Sequence, residues 1–293
     1  MKYRFIKENR SSFPVKKMCQ ALEVAQSGFY RWEKAPISRR QQENNRIKER
    51  VKEIFRAHKG MVGSPLITAD LRDEDEFSKV SRPRVARIMR EMGLRCKATK
   101  KFVVTTDSKH DYPIAPNLLD RNFTVSSPDV AWVGDITYLR VGARWHYLTV
   151  FIDLFSRAVV GWDLSDSLAS DSTIHALRKA VMRRRPAPGL MIHSDRGIQY
   201  ASSNFRTVLD KYGFKQSMSR KGNCWDNAVA ESFFASLKTQ LTHHVKFRNK
   251  LEAEHSLFNY IEVYFNRQRK HSTNGYKAPA RFEQEWLNEK KAA

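Results

Sequence analysis

The sequence is poor in cysteine, in long apolar runs and in acidic side chains. Its three cysteines, Cys19, Cys96 and Cys224, form no Cys-x-x-Cys pair. This excludes the common zinc ribbons and a disulfide framework, and it is typical of a reducing compartment. The longest apolar stretch, around residues 147–155, is about half of what a membrane helix needs. Residues 1–7 contain no apolar segment of the kind that a secretory signal requires. We therefore expect a soluble protein of the cytoplasm.

The shortage of acids leaves a formal net charge of +22, from 53 Lys and Arg against 31 Asp and Glu. Residues 1–110 carry a net charge of +14 and residues 111–293 one of +8, so the excess is about three times denser in the first segment. Because such a field attracts polyanions, nucleic acid is the expected partner, and a merely solubilising surface is the alternative. An apolar content of 41% with six Trp suffices for a folded core.

Residues 1–37 have the pattern of a first DNA-binding segment. A helix is expected to begin after Pro14, which suits a first helical turn, and a second helix is expected over residues 26–34. The short break at residues 23–25 gives the pair the outline of a helix-turn-helix. A plain helical hairpin is the alternative interpretation.

Residues 38–110 predict a second all-helical unit of the same kind. Apolar spacing indicates three helices that end near Gly60, at the acidic run of residues 73–76, and near Gly93. The third begins near Ser81, and one of its faces carries Arg82, Arg84, Arg87 and Arg90. We expect these arginines to contact DNA phosphates and guanine edges, with a solvated face as the alternative. Residues 111–128, with two prolines in four residues, predict an extended linker.

Residues 129–240 predict an α/β domain with a diagnostic order of elements. Strands are expected over residues 130–141, 145–155, 158–164, 190–193 and 214–218, and helices from residue 171, over 203–212 and from about 227. The first three strands must be antiparallel because their turns are short, whereas the fourth follows a helical crossover and should be parallel to a neighbour. This order resembles the ribonuclease H fold, a mixed five-stranded sheet in which the first and fourth strands are adjacent. Residues 241–293 are expected to form a helical tail.

Three carboxylates fall at positions where such a sheet would bring them together. Asp135 lies inside the apolar first strand, Asp195 directly follows the fourth strand, and Glu231 lies near the start of the last helix, which Asp226 or Asn227 can cap. Each alone could be an ordinary strand-end or helix-start residue. Together they repel unless cations balance them. Oxygen ligands favour Mg²⁺, with Mn²⁺ as a substitute. Two such ions about 4 Å apart are suited to phosphodiester chemistry.

At these motifs the chain resembles the transposases of the IS3 insertion-sequence family, specifically the product of their second reading frame, OrfB. The resemblance covers nearly the whole chain. It is carried by WVGDITYL around Asp135, HSDRGIQY around Asp195 and NAVAESFFASLK around Glu231, with 35 residues between the last two acids. Further matches lie at Lys238, residues 264–267, His271, Gly275, Tyr276 and Pro279. Asn274 departs from the family, which usually has an aliphatic residue there.

The resemblance implies a catalytic core of the retroviral-integrase type, with Asp135, Asp195 and Glu231 as catalytic metal ligands. Lys238, two helical turns after Glu231, would hold a DNA phosphate near the metals. The implied substrates are transposon ends and target DNA. The implied partners are the upstream-frame product OrfA, separate or fused, and further copies of this chain on DNA in the bacterial nucleoid. We expect no zinc, because the His/Cys pairing of the retroviral zinc domain is missing. A hydrolysis-only nuclease of this fold and a non-catalytic DNA-binding regulator are the alternatives.

Two other polar strand residues are open to more than one reading. Asp153 is expected to cap the turn at residues 155–157 or to pair with Arg157 rather than bind metal. His193, two residues before Asp195, could approach the metal site, or it could be a hydrogen-bonded residue at the end of its strand.

Overall fold

The computed structural model describes residues 1–34, 37–96, 112–220 and 224–292. The proline at position 36 that precedes the second expected helical unit, the end of that unit (residues 97–110) and the first residue of the expected linker lie outside the described residues.

The first residues form three short helices around a small core. They are α1 (Lys2–Glu8), α2 (Val15–Ala21) and α3 (Gln26–Lys34). The last two are the helices predicted from the sequence, whereas α1 was not predicted. Ile6 of α1 is fully buried against Met18, Cys19 and Phe29, so α1 owes its stability to these tertiary contacts.

The second helical unit contains the three predicted helices: α4 (Arg39–Ala57), α5 (Ser64–Arg72) and α6 (Arg82–Glu91). The Ser38 hydroxyl caps α4 by accepting a hydrogen bond from the Gln41 N–H at 3.2 Å. The acidic run ends α5 and leads into a single turn at Asp75–Phe77, and Gly93 adopts the left-handed conformation after α6. The core of the unit consists mainly of Ile47, Val51, Ile67, Leu71, Val85 and Ile88.

A mixed five-stranded sheet forms the centre of the chain. Its strands are β1 (Ala131–Val141), β2 (Arg144–Asp153), β3 (Val159–Ser165), β4 (Met191–Ser194) and β5 (Lys215–Met218), in the spatial order β3-β2-β1-β4-β5. The first three strands are antiparallel, and β4 is parallel to both β1 and β5. This topology confirms the ribonuclease H order, with β1 beside β4.

Helices cover both faces of this sheet. On one face lie α7 (Ser170–Arg184), α8 (Ile198–Ala201) and α9 (Ser203–Tyr212), whose apolar side chains form one core with the sheet. On the other face lie α10 (Ala228–Leu237) and α11 (Lys250–Phe258), which form a second core. Both α10 and α11 continue in π-helical turns, at Lys238–Thr242 and Asn259–Phe265. None of the described helices combines the length and apolarity needed to cross a membrane.

The carboxyl-terminal segment, residues 250–292, ends in α12 (Pro279–Ala292) and contacts both the sheet and the second helical unit. The buried Asn266 side chain accepts a hydrogen bond from the Val159 N–H at 2.9 Å and donates one to the Val159 carbonyl at 3.0 Å, like an added strand residue. Lys270 donates to the Ala69 carbonyl at the end of α5. The tail is therefore helical, as predicted, and it is packed against the rest of the chain.

The packing of α7 on β3 depends on the lack of a side chain at Gly161. A Cβ at this position would lie 2.5 Å from the Ala176 carbonyl oxygen and 2.6 Å from the Ala180 Cβ. Gly161→Ala should therefore lower the free energy of unfolding by about 1–3 kcal/mol, measured by urea denaturation. As a control, Gly63→Ala, whose Cβ would have only Pro65 Cδ nearby at 3.6 Å, should cost less than about 1 kcal/mol. Equal stability of Gly161→Ala and the unchanged protein would contradict the close approach.

Candidate active site

The pairing of β1 with β4 places Asp135 and Asp195 next to each other. In the parallel register Val133 lies opposite His193, and two residues further along both chains come the two aspartates, Asp195 directly after the end of β4. Neighbouring strands are about 4.8 Å apart. Backbone amides orient both carboxylates: Asp135 Oδ1 accepts from the Ile136 N–H at 2.8 Å, and Asp195 Oδ1 accepts from the Gly197 N–H at 2.9 Å.

Helix α10 brings Glu231 to the same place. Glu231 lies in its first turn, and the buried side chains Ala230, Phe233, Phe234 and Leu237 hold this helix on β1 and β2. The chain remains helical through Lys238, which begins the π-helical turn. The backbone is therefore helical from Glu231 to Lys238, as the prediction that both lie on one helical face requires.

The electrostatics show that the four side chains act on one another. Burial raises the pKa of Asp135 well above its ordinary value, and the charges of Asp195 and Glu231 raise this pKa further. The hydrogen bond from the Ile136 N–H and the charge of Lys238 lower the pKa of the same carboxyl. Burial also raises the pKa of Glu231 and lowers that of Lys238, although the charge of Asp135 favours the ammonium form. The predicted repulsion between the acids is thus present, with one cation beside it.

Tyr200 is a further residue of this region that sequence reasoning missed. Its side chain is fully buried, and its ring lies against Gly134, where a Cβ would be 3.3 Å from Tyr200 Cε1. Burial and the charges of Asp135 and Asp195 raise the pKa of its hydroxyl well above the ordinary value. This hydroxyl has no hydrogen-bond partner within the described parts of the chain. The only signal in the sequence is its place at the end of the HSDRGIQY motif.

The donor set fits a hard divalent cation. Three carboxylates that repel one another and an orphaned hydroxyl nearby are groups that a cation and its water ligands would satisfy. Over residues 1–34, 37–96, 112–220 and 224–292, no three His, Cys, Asp or Glu side chains converge tightly enough to form a complete metal cage. The carboxylates of Asp135 and Asp195 instead accept hydrogen bonds from the backbone N–H groups of Ile136 and Gly197.

Asp226 anchors the turn that leads into α10. Its buried carboxylate accepts hydrogen bonds from Arg220 Nε and Nη2, both at 2.9 Å, from Arg121 Nε at 2.8 Å and from Asn117 Nδ2 at 3.1 Å. Arg220 above all holds the pKa of Asp226 well below its ordinary value. The prediction that the Asp226 or Asn227 side chain caps α10 is wrong, because neither makes a capping hydrogen bond; the arginines offer Asp226 stronger, charge-assisted partners.

The structure also decides the two open readings. His193 is the hydrogen-bonded residue: it is fully buried, with Nδ1 2.9 Å from Ser217 Oγ and Nε2 3.0 Å from the Asp226 carbonyl oxygen. Burial lowers its pKa to about 4, so the ring is neutral at pH 7. Asp153 caps its turn, as expected, by accepting from the Ser156 N–H and hydroxyl, both at 2.8 Å.

The four predicted DNA-contact arginines do not share one environment. Arg82, Arg87 and Arg90 are exposed on α6. Arg84 is half-buried and donates to Glu43 at 2.6 Å and to Asn44 at 2.9 Å, both on α4. Arg82 also lines a cavity of about 320 Å³ between α5 and the carboxyl-terminal segment; its other basic lining residues are Arg72, Lys270, Lys277 and Arg281.

Comparison with known proteins places the chain in a family. Residues 125–224 match the integrase core domain, residues 212–279 match a second integrase core model, and residues 42–102 match an HTH-like domain. The chain is 40% identical over 285 residues to the transposase InsF for insertion sequence IS3A of Escherichia coli strain K12, which covers 97% of this chain and 98% of the relative. The chain belongs to the IS3 family of transposases. It is also 38% identical over 269 residues to the uncharacterized 31 kDa protein of insertion element IS600 from Shigella sonnei, covering 92% and 98%.

This IS3-family protein is therefore a transposase with an integrase-type catalytic core and an HTH-like domain. Such a core indicates dependence on a divalent metal, and the two domains together indicate DNA binding. Among solved structures it is similar to the HTLV-2 integrase catalytic core domain in complex with magnesium, at 20% identity and a TM-score of 0.44, covering 55% of this chain and 99% of that one.

The anchoring role of Asp226 can be tested through the two acids that share Arg220. Asp226 is buried, whereas Asp120, whose Oδ1 lies 3.2 Å from Arg220 Nη2, is 74% exposed. Asp226→Asn should lower the free energy of unfolding by about 1–3 kcal/mol, because it leaves buried hydrogen-bond donors poorly matched. The control Asp120→Asn should cost less than about 1 kcal/mol, since an exposed ion pair contributes little. Similar costs for both variants in urea denaturation would contradict the anchor.

Proposed function

We propose that this transposase cleaves the ends of its insertion sequence and joins them to target DNA at a site formed by Asp135, Asp195 and Glu231. The observation that carries the proposal is that Asp135 lies on β1 beside the end of β4, where the charges of Asp195, Glu231 and Lys238 all act on its pKa. The three carboxylates would hold two Mg²⁺ ions, which Mn²⁺ can replace. When bound, the metal supplies Lewis-acid chemistry for the attacking and leaving oxygens of a phosphodiester.

The reaction consists of two displacements at phosphorus. In the first, water attacks a phosphodiester at the transposon end and releases a free 3′-hydroxyl. In the second, that hydroxyl attacks a phosphodiester of the target, and the target's own 3′-oxygen leaves with a proton. One phosphodiester bond forms for each that breaks, so the second step needs no ATP. Lys238, beside Asp135, would hold a phosphate of the DNA by a charge-assisted hydrogen bond.

DNA binding is assigned chiefly to the two helical units at the amino-terminal end. We place Arg82, Arg87 and Arg90 at the phosphates or base edges of DNA because they are exposed on one helix. Arg84 serves to fix α6 on α4 through Glu43 and Asn44, and its contribution to DNA binding is indirect. Residues 1–37 and 38–110 would form the binding units, residues 111–128 the connection, residues 129–240 the core and residues 241–293 the tail.

The proposed partners are those that the resemblance to the family implies. We propose that the enzyme works in the bacterial cytoplasm at the nucleoid, with double-stranded transposon ends and target DNA as substrates. It would act together with the upstream-frame product OrfA, or fused to it, and as an oligomer that holds two transposon ends. The dense positive charge of residues 1–110 supports the placement on DNA.

The acidic triad is tested with labelled duplexes that carry the DNA ends flanking this gene. Asp135→Asn, Asp195→Asn and Glu231→Gln should each lower metal-dependent nicking and end-joining by more than about 10³-fold, because each removes a metal ligand. Asp163→Asn is the matched control, since Asp163 lies in β3 of the same sheet and pairs with Lys179 at 2.6 Å. It should retain activity.

The same assay separates the alternatives. Nicking without joined product, with the triad variants inactive, would indicate a hydrolysis-only nuclease. If the protein binds DNA without cleaving it, the assay is repeated with the OrfA fusion. The absence of cleavage by the fusion as well would indicate a non-catalytic regulator.

The division among the α6 arginines is tested by titrating DNA at several salt concentrations. Arg87→Ala and Arg90→Ala should each weaken binding and reduce the slope of log Kd against log salt by about 1, as expected for a lost phosphate contact. Arg84→Ala should leave this slope unchanged and lower the melting temperature, because it removes the hydrogen bonds to α4. A slope change for Arg84→Ala as large as that for Arg87→Ala would contradict the assignment.

A further inference from the structure

A continuous chain of buried hydrogen bonds connects β4 to the start of α10. Ser217 Oγ on β5 accepts from the N–H groups of Leu118 at 2.9 Å and Leu119 at 3.2 Å. The same oxygen lies 2.9 Å from His193 Nδ1 on β4, and His193 Nε2 lies 3.0 Å from the carbonyl oxygen of Asp226. His193, Ser217 and Asp226 are all fully buried.

Only one placement of the hydrogen atoms satisfies every donor and acceptor in this series of hydrogen bonds. The Asp226 carbonyl oxygen can only accept, so His193 Nε2 must carry a hydrogen and donate it. Both lone pairs of Ser217 Oγ receive backbone N–H groups, those of Leu118 and Leu119. The Ser217 hydroxyl must therefore donate its single hydrogen to His193 Nδ1, which accepts it. Every group in the chain is satisfied, and the Nε2–H form of His193 is fixed.

The position of His193 connects the two elements that carry the acids. His193 lies two residues before Asp195 on β4, and Asp226 lies in the turn that leads directly into the first turn of α10, which contains Glu231. The carboxylate of Asp226 is held from other segments, by Arg121 and Arg220. The imidazole therefore supplies the contact from β4 itself to the start of the helix.

We propose that His193 is a positioning residue that fixes the separation of Asp195 and Glu231 by donating from Nε2 to the Asp226 carbonyl. The proposal rests on the assignment of these acids as metal ligands. The acids repel one another and push α10 away from the sheet. A neutral, rigid ring with a hydrogen bond at each end opposes this displacement without adding a charge to the site.

His193→Leu removes both hydrogen bonds while keeping an apolar side chain in the core. We expect the single-turnover rate of end cleavage to fall about 10²-fold, the cost of a catalytic group misplaced by about 1 Å. The dissociation constant for Mn²⁺, measured by electron paramagnetic resonance without DNA, should rise about tenfold or more. The affinity for the DNA end should not change. His193→Gln, which carries an amide N–H near the place of Nε2, should recover most of both losses.

The control for general damage is His146→Leu. His146 is also a buried histidine of this sheet, on β2, and it is outside the proposed site. It should keep the cleavage rate and the Mn²⁺ affinity. Ser217→Ala provides a milder probe that decides the matter if His193→Leu does not fold, and it should reduce the cleavage rate several-fold. In ¹⁵N NMR at pH 7, the His193 resonances, identified by their loss in His193→Gln, should show a neutral ring protonated at Nε2.

The outcomes separate this proposal from the function on which it rests. If Asp195→Asn and Glu231→Gln are inactive while His193→Leu, or Ser217→Ala in its place, keeps the original rate and Mn²⁺ affinity, the positioning role is overturned alone. Equal losses in His146→Leu and His193→Leu, or a His193 ring protonated at Nδ1, would also overturn it. If Asp195→Asn and Glu231→Gln remain active, the assignment of the metal site itself fails.

Discussion

The surrounding structure must hold Asp135 and Asp195 together on the paired strands β1 and β4 although their charges repel each other. The parallel register of β1 and β4, with apolar cores on both faces of the sheet, holds the backbone positions of the two aspartates close together. Burial strengthens the repulsion, and the pKa of Asp135 is raised accordingly. Two carboxylates placed this close lower the stability of the fold, and selection for stability alone would not retain them. An enzyme that binds divalent cations needs such a pair.

Much of the surrounding structure holds this unfavourable group of charges in place. The apolar face of α10 anchors Glu231, and the arginines around Asp226 fix the turn before it. The basic residues near the acids have different surroundings: Lys238, in the π-helical turn after α10, is influenced by the charge of Asp135, whereas Arg220 and Arg121 pair with the buried carboxylate of Asp226. Lys238 thus offsets part of the negative charge of the acids, whereas the two arginines stabilise the turn that leads into α10.

The fold, and the position of Asp135 beside Asp195, could be predicted because both follow from local patterns. Apolar strands with short turns, followed by helical periodicity, define the order of elements, and an acid inside an apolar strand stands out. The hydrogen-bond partners of Asp226, the burial of Tyr200 and the pairing of Arg84 with Glu43 could not be predicted, since each joins residues distant in the sequence. The short helix α1 was missed for the same reason: its stability comes from the contacts of Ile6.

The carboxyl-terminal segment connects the second helical unit to the central sheet. Lys270, only 11% exposed, donates to the Ala69 carbonyl at 2.9 Å and to Asp73 at 2.5 Å, and it forms an ion pair with Asp70 at 3.1 Å, so its ammonium group is held at α5 and its end. In the same helical unit, Nδ1 of His58, directly after α4, lies 3.2 Å from the hydroxyl of Tyr264 in the carboxyl-terminal segment. The same segment holds β3 through Asn266. Because α5 and α6 share one core, these contacts fix the exposed arginines of α6 relative to the sheet that carries Asp135. A phosphate bound at α6, as proposed, would thereby be held at a set position relative to the acids, so that binding energy gained far from the reacting phosphodiester would contribute to its placement.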